Sequence, residues 1–213
     1  MLGRSLLARD TKPAYEFKSF RFKASNVGED GTFEGYGSIF GTVDTYGDIV
    51  MPGAFKASLA DHILAETRPK GLWQHDPNHP ILSWVGISED SKGLRCKGRL
   101  ILEVEKARET YALMKAGEID ALSIGYETED EEFISSGDLE TKLGIVADGP
   151  PGYDNRYRLL HKCSLWEVSA VTFPACKPAR IDQVKHHTMP PAGLDRFKSA
   201  MDRRSRLLAD FAF

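Results

Sequence analysis

The sequence predicts a mostly β protein of the α+β class, a barrel or sandwich of short strands with helices packed outside it. Many short segments alternate between apolar and polar residues, and only two or three stretches have helical spacing. No internal repeat is visible along the chain. At 213 residues, the chain is long enough for one substantial domain with its own core.

The first third of the chain predicts two strands, a loop and a helix. Residues 15–41 are aromatic-rich and alternating, with glycines where a hairpin would turn, so they predict two antiparallel strands. The following segment, VDTYGDIVMPGAF, has the composition of a loop. Residues 54–65 then show the apolar spacing of a short helix.

The middle of the chain predicts a strand, a hairpin and the clearest helix. GLWQHDPN is typical of a strand that ends at a proline-bearing turn, and residues 81–102 predict a hairpin that turns near 90–93. Residues 105–116 place apolar side chains near one face, and Gly117 follows them as a stop signal.

Strand alternation continues after this helix. In IDALSIGYETEDEEF, Ser123 and Gly125 share one face, while Leu122, Ile124 and Tyr126 share the other. Residues 135–155 lack periodicity and are rich in Gly, Pro and Asp, which predicts an excursion between strands, a candidate mobile flap. RYRLLHKCSLWEVSAVTFPA predicts two short strands, the second closing on Pro174. The stretch from His186 onward begins as a loop and ends as a charged helix.

Composition narrows the functional classes. Hydrophobic residues make up 41% and charged residues 28%, as in a globular protein with a packed core. The formal net charge of -3 provides no basic field for nucleic acid or an anionic membrane, so neither is an expected partner. No run of about 18 apolar residues occurs, so we expect neither a secretory signal nor a membrane span.

The cysteines argue against two kinds of stabilising site. Their number is odd, and Cys96, Cys163 and Cys176 show no CxxC spacing. This pattern disfavours a disulfide framework and a structural zinc site, and it fits a reducing compartment.

A nucleophile and a base are the strongest chemical candidates. His75 ends a predicted strand beside Asp76 and Pro77, where its side chain can face a cleft while the strand holds its backbone. Ser123 is followed two positions later by Gly125, which leaves open space on the same face for a substrate backbone. A hydroxyl nucleophile needs a base within reach and a third group to orient that base.

Glu167 is the leading candidate for the third group. It lies in an apolar strand segment, where a buried carboxylate is costly unless it is paired, so a histidine partner would explain its presence. His161 and Asp120 are the alternatives. A metal site of His75, Asp76 and His79 is a further hypothesis, although Pro77 and Pro80 disfavour the helix that the i, i+4 histidine spacing would need.

Five blocks occur in an order that resembles the tailed-phage prohead protease family. They are FEGYGSIFG, the D-x-x-G-D-x-V-x-P-G-A-F segment, LWQHDP, MKAGEIDALSIGY and LWEVSAVTFPA, and together they run from about Phe33 to Ala179. This family is similar to the herpesvirus assemblins. The resemblance implies a closed, assemblin-like β-barrel surrounded by helices. It also implies that Ser123 is the nucleophile, His75 the general base and Glu167 the group that orients His75, with His161 as the alternative to Glu167.

The resemblance also implies a domain organisation and a role. Residues 15–185 would form the protease domain with 135–155 as its inserted loop, after an N-terminal extension over 1–14 and before a basic helical tail over 186–213. The function implied is a serine endopeptidase, without a cofactor, that cuts scaffold protein, capsid protein and itself inside the assembling procapsid, in the host bacterial cytoplasm. Self-association as a dimer or higher oligomer is a further hypothesis. The competing interpretation is a catalytically inactive capsid-assembly or scaffold-binding module of the same fold.

Overall fold

A computed structural model of the chain describes residues 16–21, 27–147 and 149–173. One eight-stranded sheet dominates these residues, and three helices accompany it. The strands are β1 Glu16–Arg21, β2 Thr32–Ile39, β3 Asp48–Val50, β4 Lys70–Trp73, β5 Asp76–Glu89, β6 Gly93–Leu100, β7 Ala121–Ile134 and β8 Tyr157–Val171. The helices are α1 Lys56–Leu64, α2 Glu105–Ala116 and α3 Ser136–Leu143, and a short 3-10 turn spans Tyr153–Asn155.

The sheet follows the order β1-β7-β8-β4-β5-β6-β2, and β3 pairs separately with β8. Neighbours are antiparallel except for β3 and β4, which both run parallel to β8. The sheet curls so that its two end strands, β1 and β2, approach each other, but no ladder joins them among the described strands. The predicted strand-rich α+β class is therefore confirmed, whereas the closed assemblin-like barrel stays a prediction.

The first two strands form where they are predicted, but their predicted pairing is wrong. β1 pairs with β7, in the register Ser19 opposite Ser123, and β2 pairs with β6. Hairpin signals are local, and here each strand finds a partner far along the chain. The short strand β3, which falls in the predicted loop, is fixed in the same way by its pairing with β8.

β8 is one continuous strand of 15 residues where the sequence predicts two short ones. Its apolar residues contribute to both faces, so the polar residues in its middle interrupt the pattern without ending the strand. The predicted excursion over 135–155 contains α3, whose N-cap Ser135 accepts a hydrogen bond from the backbone N–H of Asp138. Pro174 and the predicted tail lie outside the described residues.

The predicted hairpin over 81–102 and the helix over 105–116 are confirmed as β5, β6 and α2. α2 buries Ala107, Thr110 and Met114, at the spacing of one helical face. It ends at Gly117, whose φ of 81° is the left-handed conformation that glycine adopts readily. No helix within the described ranges is long and apolar enough to cross a membrane.

The main hydrophobic core involves β2, β5, β6, β7 and β8, and it includes residues of α2 and of the loop before α1. Large side chains such as Phe33, Phe55, Leu94 and Tyr126 are almost fully buried there. A smaller cluster joins β3, α3 and the first half of β8. The second half of β8, next to β4 and β7, carries the polar residues described below.

Candidate active site

His75 lies in the two-residue turn between β4 and β5, and not at the end of a strand as predicted. Both turn residues adopt the left-handed conformation, with φ of 53° at Gln74 and 61° at His75. Two successive positive φ angles are typical of tight hairpin turns, where glycine and asparagine are preferred. Two non-glycine residues here carry a strain of about 1–3 kcal/mol each, so the surrounding structure must hold them.

Hydrogen bonds to β8 and to the residue after it supply that restraint. The backbone N–H of Gln74 donates to the carbonyl of Ala170 at 3.0 Å. The side-chain amide of Gln74 donates to Thr172 Oγ1 at 2.6 Å and accepts from the Thr172 N–H at 3.3 Å. The turn, and His75 with it, is thereby fixed against the end of β8.

His75 and Glu167 form a hydrogen-bonded pair. His75 Nδ1 lies 2.6 Å from Glu167 Oε1, and Glu167 is only 8% exposed. A carboxylate acceptor at Nδ1 favours the imidazole tautomer that carries its proton there, which leaves Nε2 available as a base. The pairing also explains how a carboxylate is accommodated in an apolar strand.

Ser169 links the same two residues from the next position on this face of β8. Its hydroxyl donates to Glu167 Oε2 at 2.5 Å and accepts from the backbone N–H of His75 at 3.2 Å. Both carboxylate oxygens of Glu167 therefore have a partner. Sequence reasoning missed Ser169 as a functional residue, although its spacing of two from Glu167 was a signal that both share one face.

Gly125 makes room for the Glu167 carboxylate. The two residues are direct partners across the β7–β8 ladder. A β-carbon at position 125 would lie 2.4 Å from Glu167 Oε1 and 3.0 Å from its Cγ and Cδ. The open space next to Ser123, which the sequence reading assigned to substrate, is therefore filled by the acid.

The strand register places Ser123 beside these residues. Ser123 is the direct partner of Ser169, and directly paired residues of an antiparallel ladder project from the same face with Cβ atoms about 5 Å apart. Ser123 is fully buried, and its Oγ has no hydrogen-bond partner among the residues that the structure describes. On this face of β7 and β8, the hydroxyls of Ser123 and Ser169 therefore lie beside the Glu167–His75 pair. The Glu167 carboxylate occupies the space above Gly125.

The structure keeps His161 away from His75. His161 lies six residues from Glu167 along the extended β8, about 20 Å away, and its Nε2 is 3.4 Å from Glu132 Oε2. Asp120 immediately precedes β7.

The residues of the metal hypothesis are engaged separately. His79 Nδ1 lies 2.6 Å from Asp76 Oδ2, whereas His75 Nδ1 contacts Glu167. The backbone N–H of Asn78 and the His79 ring hold the pKa of Asp76 below its ordinary value. Within the described part of the chain, no group of three or more His, Cys, Asp or Glu residues is arranged to hold a metal ion.

Comparisons with known proteins indicate the family to which the chain belongs. Residues 18–191 match the family model described as caudovirus prohead serine protease. The prohead protease of Enterobacteria phage HK97 is 30% identical over 172 residues, which cover 79% of this chain and 67% of that protein. The capsid assembly protease of bacteriophage T4 has a similar fold, with a TM-score of 0.52 and 14% identity over 75% of this chain and 98% of the other.

The chain therefore belongs to the caudovirus prohead serine protease family. The resemblance inferred from the five sequence blocks is confirmed, and so is the class of protein that it implied, a phage capsid maturation protease.

Proposed function

We propose that this chain is a serine endopeptidase in which Ser123 is the nucleophile, His75 the general base and Glu167 the group that orients His75. The single observation that carries these assignments is the 2.6 Å contact between His75 Nδ1 and Glu167 Oε1, beside the strand position of Ser123. A base oriented by an acid next to a hydroxyl is the arrangement that acyl-transfer chemistry requires. The family supports the same reaction class.

In the proposed mechanism, His75 Nε2 accepts the Ser123 hydroxyl proton as Oγ attacks a peptide carbonyl. The C–N bond of the tetrahedral intermediate then breaks, and the imidazolium returns the proton to the leaving amine. Water, deprotonated by the same imidazole, hydrolyses the resulting ester and regenerates Ser123. Throughout the cycle Glu167 stabilises the imidazolium and keeps its Nδ1 proton in place.

The proposed substrates are the capsid and scaffold proteins of the assembling procapsid, together with the chain itself. The support is the family, whose model is described as a prohead protease, and the capsid assembly protease of T4 as a structural neighbour. We place the reaction inside the procapsid in the bacterial cytoplasm. Confinement there raises the local concentration and would favour dimers or higher oligomers. The segment 186–213 is proposed to bind the shell or scaffold, or to be removed by self-cleavage.

The complete burial of Ser123 favours the competing function, a catalytically inactive assembly module, over an enzyme that is always active. A nucleophile that substrate cannot reach does not react, so an active enzyme must expose Ser123 when it binds substrate or assembles. The two functions differ in one observable, which is cleavage after co-assembly with capsid protein.

The test is co-expression of the wild-type chain with its capsid and scaffold proteins, followed by intact mass measurement of every component. We expect cleavage with wild type, none with Ser123→Ala, and unchanged cleavage with the control Ser83→Ala on the exposed side of β5. Glu167→Gln should reduce the rate by about 10⁴-fold because it favours the wrong imidazole tautomer, whereas His161→Ala should cut normally. Cleavage by Ser123→Ala would refute the assignment, and no cleavage by assembled wild type would establish the inactive module.

A further inference from the structure

Ser169 is a buried polar residue whose position in β8 is otherwise apolar. Its neighbours Val168, Ala170 and Val171 are all buried, and Ser169 itself has no exposed surface. A hydroxyl in such surroundings is costly unless it is hydrogen-bonded, and a core strand position would normally be occupied by an apolar side chain. The hydrogen-bond partners of Ser169 therefore indicate its structural role.

The hydroxyl of Ser169 joins a side chain to a backbone. Its one proton goes to Glu167 Oε2, at 2.5 Å, and one of its lone pairs accepts the backbone N–H of His75, at 3.2 Å. The other carboxylate oxygen, Oε1, contacts His75 Nδ1. The three hydrogen bonds close a ring through Glu167, His75 and Ser169. His75 is therefore held both at its backbone N–H and at the Nδ1 atom of its ring.

Removing this hydroxyl would loosen both ends of the His75–Glu167 contact. The carboxylate would be free to rotate about its last torsion, because only Oε1 would remain held. The left-handed backbone of His75 would also lose one of the bonds that hold it, and that conformation is strained. A displacement of about 1 Å in a reacting group can lower a rate by about 10²-fold.

We propose that Ser169 is a positioning residue of this protease, which sets the orientation of the His75 imidazole relative to Ser123 by holding Glu167 Oε2 and the His75 N–H together. The inference rests on the proposed function for its effect on rate. The ring of hydrogen bonds that it invokes is independent of catalysis and can be observed in the resting protein.

The test compares Ser169→Ala and Ser169→Thr with the control Ser164→Ala, a partly exposed serine on the same strand. Each full-length variant is co-assembled with capsid and scaffold protein, because Ser123 is buried in the resting chain, and is then treated with a fluorophosphonate. The rate of fluorophosphonate addition to Ser123 is followed by intact mass across pH 5–9. The far-downfield NMR signal of the His75 Nδ1 proton is recorded in parallel. Urea unfolding verifies that each variant is folded.

We expect Ser169→Ala to react about 10- to 100-fold more slowly than wild type and to lose the downfield signal through exchange. Ser169→Thr, which keeps the hydroxyl, should retain the signal and most of the rate, and Ser164→Ala should match wild type. The proposal is overturned if Ser169→Ala keeps the signal, or if Ser169→Thr loses it while remaining folded.

Failure of the proposed function would look different. In that case co-assembled wild type would not react with the fluorophosphonate at any pH, although the downfield signal would still depend on the hydroxyl at position 169. A wild type that reacts, together with a Ser169→Ala variant that reacts equally fast, would reject the positioning role alone.

Discussion

The Glu167 carboxylate lies over Gly125, and it can occupy this position only because Gly125 has no side chain. The sequence correctly suggested that a carboxylate in an apolar strand needs a partner, and the structure shows His75 at 2.6 Å. Sequence reasoning could not predict what fills the space above Gly125, because that depends on which residue of β8 lies opposite it. The role of Ser169 could not be predicted for a related reason. It depends on the hydrogen bonds of Ser169 to Glu167 and His75, and a serine by itself does not indicate them.

Substitution of Gly125 by alanine tests this contact. We expect Gly125→Ala to fold but to lose about 10²-fold or more in activity, because its β-carbon would lie 2.4 Å from Glu167 Oε1 and push the carboxylate away from His75. The measurement is the cleavage rate of capsid or scaffold protein, and Gly86→Ala is the control because a β-carbon there meets no atom within 4 Å. Equal rates for both variants would show that Glu167 tolerates displacement.

At the scale of elements, the β4–β5 turn holds the most strain in the site. Its position was predicted only approximately, because Pro77 suggested a turn there, whereas this proline lies within β5. Gln74 and His75 lack the glycine or asparagine that usually marks such a turn, so no local signal was available. The restraint comes from Thr172 and Ala170, which are about a hundred residues away in sequence.

The Gln74 side chain should contribute measurable stability through this turn. Gln74→Ala keeps a β-carbon at the same positive φ, so it removes only the side-chain bonds to Thr172, and we expect a loss of about 1–3 kcal/mol in the free energy of unfolding. Thr172→Val removes the Oγ1 acceptor but keeps the backbone N–H, and should cost less. A double-mutant cycle by urea unfolding measures their coupling, and a coupling near zero would contradict the hydrogen bonds described.

A second loop contact links the segment before β3 to the one before β8. Gly47 has a φ of 79°, and a β-carbon there would lie 2.0 Å from the backbone nitrogen of Gly152. Gly41 has a similar φ of 70°, but a β-carbon at that position meets no atom within 4 Å. Substitution of Gly41 by alanine therefore tests backbone strain alone, whereas substitution of Gly47 tests strain together with a steric clash.

We expect Gly41→Ala to cost about 1–2 kcal/mol, the strain of a left-handed alanine. Gly47→Ala should cost several kcal/mol, because the backbone of Gly152 must also move. Thermal and urea unfolding of both variants provide the comparison. If the two losses are equal, the contact between the loops adds nothing to stability.

At the scale of the whole molecule, pairing between distant strands limited what the sequence could predict. The helices α1 and α2 and the β5–β6 hairpin depend on local patterns, and all three were predicted correctly. The partners of β1 and β2 depend on the curl of the sheet, for which the chain provides no local signal. The same limit applies to Ser123, His75 and Glu167, which come together only through β7, β8 and the β4–β5 turn.

The buried Cys96 thiol on β6 should make the stability of the fold depend on pH. Burial raises the pKa of the Cys96 thiol to about 12 from an ordinary value of 9.0. Above pH 9 the unfolded chain loses this proton while the folded chain keeps it. Stability should therefore fall by up to about 1.4 kcal/mol per pH unit between pH 9 and about 12. Urea unfolding at pH 8, 9 and 10 measures the slope, and Cys96→Ala should lack this contribution. Identical slopes would show that the Cys96 thiol loses its proton as readily in the folded chain as in the unfolded chain.

β8 pairs with β3, β4 and β7 within a single run of 15 residues. Its length is therefore constrained in a way that the connecting segments are not. A one-residue insertion between Leu160 and Glu167 would turn Glu167 and Ser169 to the opposite face of the sheet, away from His75. Related chains should consequently differ in length between α3 and β8, while the spacing from Leu160 to Ser169 remains constant.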